Sequence, residues 1–114
     1  MYYQQFGKKY KNVSSFYDGY NYSSKLEADY ARMLDTLKKA KDKTQRVVSW
    51  KRQVRVPLEV NGIKVTTYVI DFVVQYADGR EEWVETKGME TYAWQIKRNL
   101  FQALYPDRIY KVIK

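Results

Sequence analysis

Two acidic residues stand where acidic residues are costly. Asp71 interrupts the apolar run Tyr68-Val69-Ile70-Asp71-Phe72-Val73-Val74, and Glu85 sits in Trp83-Val84-Glu85-Thr86-Lys87-Gly88. A buried carboxylate without a partner is strongly unfavourable, so each needs a compensating group. The 114-residue chain has no cysteine and no histidine. Thiolate nucleophiles, disulfides, sulfur- or imidazole-bound zinc and serine–histidine triads are therefore excluded. Oxygen chemistry remains. Two facing carboxylates repel, and one takes up a proton unless a cation bridges them. Magnesium suits such a pair, because it is hard, prefers oxygen and is commonly held by one or two carboxylates with phosphate and water. Asp71 and Glu85 could bind it, with the Thr86 backbone carbonyl as a further ligand. Lys87 beside them could orient or help deprotonate a water, or stabilise charge on a phosphate.

One turn decides whether the two acids face each other. If Asp78-Gly79 is a two-residue turn, Ala77 pairs with Arg80, and Asp71 lies opposite Thr86 while Glu85 points to the other face. If Ala77-Asp78 form a type I turn with Gly79 as a left-handed bulge, Tyr76 pairs with Arg80. Val73 then faces Trp83, Asp71 faces Glu85, and Val69 faces Lys87. Side chains alternate along a strand, so only the bulged register puts Asp71, Glu85 and Lys87 on one face, and one residue of slip destroys the site. The bulged register is the expectation.

The elements around this hairpin follow from periodicity. Leu26, Tyr30, Met33, Leu34 and Leu37 form one apolar stripe, which predicts a helix over 24–40. Ser24 can cap it, with Glu27 three residues on as in a capping box. Residues 47–60 read as extended, with Pro57 suggesting an edge position or an interruption. Asn61-Gly62 is a hairpin signal leading into a strand over 63–76, and 81–87 form the next. A second helix is expected over 91–105, with Ile96, Leu100, Ala103 and Leu104 on its inner side and Pro106 stopping it. Residues 109–113 close as a strand, parallel to a neighbour. Asp18-Gly19, between aromatic pairs, reads as a tight turn, and residues 1–12 as a flexible basic and aromatic segment before a single domain over 13–114. The class is α/β in the α+β sense, a mixed sheet with helices on its faces.

Charge points to a polyanion. The net charge is +8, with 21 Lys and Arg against 13 Asp and Glu. Residues 53–88 are net acidic while both flanks are basic. Basic flanks attract a nucleic-acid backbone, and an acidic centre can hold a cation against it. Lys25, Lys97 and Arg98, with Lys8, Lys9 and Lys11, are candidate phosphate contacts. The Tyr-rich stretch 10–22 can stack on bases or pack at a core edge. No apolar run approaches a membrane span, the start does not read as a signal peptide, and a cytoplasmic protein is expected.

Ile70-Asp71 and Glu85-Thr86-Lys87, on the second and third strands after a helix carrying Glu27, resemble the PD-(D/E)XK nuclease superfamily. The segments 17–28 and 76–88 look like its small phage-encoded endonuclease branch, similar to Holliday junction resolvases. The resemblance spans roughly residues 10–114. It implies a restriction-endonuclease-like αβββαβ core and cleavage of DNA phosphodiesters dependent on Mg²⁺ or Mn²⁺. Asp71 and Glu85 would be metal ligands and Lys87 the catalytic lysine. Glu27 would be the first-helix acid near a metal, or else would only complete the capping box. Gln53 matches a polar position near the site and is counted with the DNA contacts. Ile70 stands where the name-giving proline would be. Branched or junction DNA and a homodimer are the partners implied. The alternatives are a binding module of the same fold without catalysis, and a nicking or DNA-end nuclease with no junction preference.

Overall fold

A computed structural model describes residues 2–4 and 15–114. The elements run β1 (Tyr2–Gln4), β2 (Ser15–Tyr17), β3 (Tyr20–Tyr22), α1 (Lys25–Leu37), β4 (Val47–Val60), β5 (Ile63–Tyr76), β6 (Glu81–Thr86), α2 (Tyr92–Leu104) and β7 (Ile109–Ile113). Five strands form a mixed sheet in the order β1-β7-β6-β5-β4, and β2 and β3 form a separate ribbon. The class is α+β, and the succession α1-β4-β5-β6-α2-β7 is the expected one. β4 lies at the sheet edge, where Pro57 is tolerated. Residues 2–4 lie parallel to β7, a strand that the sequence reading did not contain. The remainder of the expected 1–12 segment, with Lys8, Lys9 and Lys11, lies outside the described residues.

The turns adopt the backbone that their residues favour. Asp18 and Gly19 have φ of 48° and 83°, and Asn61 and Gly62 have 53° and 78°. Both pairs suit two-residue hairpins whose central residues are left-handed. The turn between β5 and β6 takes the bulged form. Gly79 has φ 92°, its N–H donates to the Tyr76 carbonyl at 3.0 Å, and the Tyr76 N–H donates to the Arg80 carbonyl at 2.9 Å. Val73 accordingly faces Trp83, and Phe72 faces Val84. The pairing ends at Phe72 and Val84, and Asp71 and Glu85 are the next residue on each strand. β6 then pairs in parallel with β7, Thr86 beside Ile113.

Two cores lie against the sheet. Leu26, Tyr30 and Leu34 of α1 are buried with Phe72, Val74 and Val84. Trp94 and Phe101 of α2 are buried with Ile70, Trp83 and Val112. Of the four residues expected on one side of α2, Leu100 and Leu104 pack against this core, while Ile96 is 51% exposed and Ala103 is exposed. Trp94 and Phe101 are seven residues apart, two helical turns, and their rings bury more apolar surface than the aliphatic set.

The central hairpin changes phase in its middle. Trp50 and Phe72 belong to the α1 core, whereas Val54, Val56 and Ile70 belong to the α2 core. Arg52 lies over the Tyr22 ring, also on the α1 side. Strict alternation would keep all even-numbered positions of one strand on one face. The switch falls between 52 and 54 on β4 and between 70 and 72 on β5, while pairing keeps register on both sides. Gln53, between them, has φ 53°.

Candidate metal centre

Three acids collect where β5 and β6 part. Beyond the Phe72–Val84 pair, each carboxylate takes up a backbone donor of the facing strand. The Asp71 N–H donates to Glu85 Oε1 at 2.8 Å. The Thr86 N–H and hydroxyl donate to Asp71 Oδ2 at 2.9 and 2.8 Å. The other Glu85 oxygen, Oε2, accepts from the Trp94 indole N–H at 3.3 Å. The bulged turn and these crossed bonds fix the two carboxylates relative to each other.

Glu27 joins them from the first turn of α1. The Ser24 hydroxyl accepts from the Glu27 N–H at 3.1 Å, so Ser24 is the cap. The reciprocal half of a capping box is not made by the Glu27 side chain. Its Oε2 accepts from the Ser23 hydroxyl at 2.7 Å, and its Oε1 accepts from Gln53 Nε2 at 3.0 Å. The same Gln53 nitrogen donates to Asp71 Oδ1 at 3.2 Å. Gln53 therefore ties the helix acid to the strand acid.

Burial makes this cluster electrostatically tense. Glu27 is 1% exposed and Glu85 4%. None of the ion pairs among the described residues involves Glu27, Asp71 or Glu85. Burial, then the neighbouring Glu27 charge, push the Asp71 carboxyl up to about 6, against the bonds from Thr86 and Gln53. Burial, then the Asp71 charge, raise Glu85 well above the ordinary glutamate range, opposed by the Asp71 N–H, Trp94 and the Lys87 charge. Among the described residues, no three acidic side chains already form a cage around a cation position. The fit to a hard divalent ion lies in donor type and charge: carboxylate oxygens, buried or partly buried, with no ion pair among the described residues.

A cleft of about 380 Å³ opens over the cluster. Asp71, Glu85, Thr86, Lys87, Gln53 and Lys97 line it. The Lys87 ammonium lies 5.3 Å from the centre of the Trp94 ring, and its backbone N–H donates to the Ile113 carbonyl at 2.8 Å. The structure thus brings together Glu27, Gln53, Asp71, Glu85, Thr86, Lys87 and Lys97. Lys25 and Arg98 are not part of the lining: Lys25 bonds Asp29 at 3.0 Å, while Arg98 bonds Glu90 and lies over Trp94.

Sequence reasoning missed two participants, Ser23 and Trp94, and the bridging role of Gln53. Ser23 was hidden beside Ser24, although only one of two adjacent serines can be the cap. Trp94 carried a signal in principle, since a buried indole N–H needs an acceptor. The bridging role of Gln53 depends on its backbone conformation, which no local pattern announces.

No curated protein and no solved structure matches the chain. The family model described as "Protein of unknown function (DUF1064)" matches residues 7–114. The match covers nearly the whole chain, which therefore belongs to the DUF1064 family.

Proposed function

We propose that this protein is a metal-dependent endodeoxyribonuclease with a restriction-endonuclease-like fold of the PD-(D/E)XK kind. One observation carries the reading: the buried Glu27 and Glu85 and the partly buried Asp71, none of them in an ion pair among the described residues, beside Lys87 on a chain of net charge +8. Asp71 and Glu85 would hold Mg²⁺ or Mn²⁺, with Glu27 and the Thr86 carbonyl as further oxygen donors. When bound, such an ion lowers the pKa of a water and offsets charge on the phosphate. Lys87 orients the attacking water or stabilises the phosphate oxygens. Lys97 draws the backbone into the cleft. Trp94 and Thr86 hold the carboxylates in place through their N–H and hydroxyl donors. Branched DNA is the substrate class that the motif resemblance favours, and paired cuts across a junction would call for a two-fold dimer.

The test is a matched set of substrates: four-way junction, fork, nicked duplex, linear duplex and single strand, each with magnesium and with chelator. Symmetrical paired nicks in the junction, abolished by chelator, are expected. Equal cutting of every substrate would remove the junction preference and leave a general nuclease. Tight binding without cutting in either metal would replace the reading with a non-catalytic DNA-binding module.

A further inference from the structure

Gln53 is an anomaly with a chemical use. It is a non-glycine residue at φ 53° within a 14-residue strand, at the point where β4 changes phase. Left-handed backbone is unfavourable for a residue with a Cβ, and glycine would meet the same geometry without strain. A strained non-glycine residue that persists at a site points to a role for its side chain. Here the side chain is an amide that donates to Glu27 at 3.0 Å and to Asp71 at 3.2 Å from one nitrogen. Gln53 as a whole is exposed and lines the cleft, so the amide can turn.

We propose that Gln53 is a further ligand of the cation site, with one amide group serving two states. Without a cation, its NH₂ tethers two carboxylates that would otherwise repel. With a divalent cation, rotation about the terminal bond exchanges nitrogen for oxygen and presents a neutral carbonyl donor to the ion. An amide carbonyl is a normal ligand of hard cations. The oxygens already available are partly committed: Asp71 Oδ2 serves Thr86, and both Glu85 oxygens accept N–H bonds. A donor that releases two carboxylate oxygens as it turns supplies what the cluster lacks. The inference rests on the cation-binding half of the proposed function, not on cleavage.

The experiment combines Mn²⁺ binding by calorimetry with thermal melts in chelator, for wild type, Gln53→Gly, Gln53→Ala and Gln53→Glu. Gly and Ala both remove the amide but differ in backbone tolerance. In an ordinary strand Ala is the more stable of the two; here Gln53→Gly is expected to melt several degrees above Gln53→Ala. Both should bind Mn²⁺ about 10-fold or more weakly than wild type. Gln53→Glu keeps an oxygen but loses the donor. It should melt below wild type in chelator, bind Mn²⁺ more tightly than Gln53→Ala, and recover its stability when Mn²⁺ is added. Wild-type binding that survives unchanged in Gln53→Ala would overturn the inference while leaving the proposed nuclease intact. A wild type that binds no Mn²⁺ at millimolar concentration would overturn the cation reading itself, whatever the melting order.

Discussion

At the scale of single residues the proposed chemistry rests on the partly buried Asp71 and the buried Glu85, which the fold holds close with no ion pair to either among the described residues. Their carboxyls are raised in the folded chain, Asp71 to about 6 from an ordinary 3.8. Between those values the folded state keeps a proton that the unfolded chain has released. The stabilisation from this proton is complete below about pH 4 and is lost as the pH rises through about 6. The loss is about 1.4 kcal/mol per pH unit for one proton. A divalent ion offsets the repulsion that deprotonation creates, so the gain from metal should grow with pH. Thermal melts in chelator and in Mn²⁺, at about pH 5 and about pH 8, check this: the gap between the paired melts should be wider at the higher pH. An equal gap would mean that the acids do not hold the ion. Asp71, Glu85 and Lys87 were legible as candidate site residues because an acid inside an apolar strand, and an acid and a lysine at the end of the next, have few structural uses. Gln53 was legible only as a polar strand residue, since its importance comes from a positive φ.

At the scale of elements, the site depends on one glycine and one phase change. Gly79 closes the β5–β6 turn at φ 92°, and no atom lies within 4 Å of where a Cβ would project. Gly79→Ala therefore has only the backbone penalty, about 1 kcal/mol or more. In urea its midpoint should fall with an unchanged m-value. An unchanged midpoint would show that the bulged turn is not held as described. Asp78-Gly79 marked the turn but fitted two registers, and the bulged one was expected as a common loop that alone puts Asp71, Glu85 and Lys87 on one face. The reversal at Gln53 and Asp71 was not readable. Val69 to Val74 is apolar but for Asp71, and such a run hides which residues face which core. The inner side of α2 was legible only in Leu100 and Leu104, for a related reason. Ile96 and Ala103 have helical spacing, but Trp94 and Phe101 offer larger surfaces at a spacing that also fits. The pairing of Tyr2–Gln4 with β7 is a long-range contact without a local signal.

For the molecule as a whole, the proposed polyanionic substrate rests on charge. The chain carries +8, the acid cluster lies in a cleft, and Lys87 and Lys97 line that cleft. No helix among the described residues is long and apolar enough to cross a membrane. DNA affinity should fall steeply and linearly on a log–log plot against salt. Lys97→Gln should make that slope shallower by about one; an unchanged slope would place the phosphate path elsewhere. The central claim is that the acid cluster uses a divalent ion to cut DNA. Its most direct measurement is single-turnover cleavage of a four-way junction in magnesium and in chelator, by wild type, Asp71→Asn and Lys87→Ala, with circular dichroism confirming that each is folded. Cleavage by wild type in magnesium alone is predicted, with each substitution lowering the rate by about 100-fold or more. Cleavage that persists in chelator or in Asp71→Asn, or no cleavage by folded wild type in magnesium or manganese, would contradict the account.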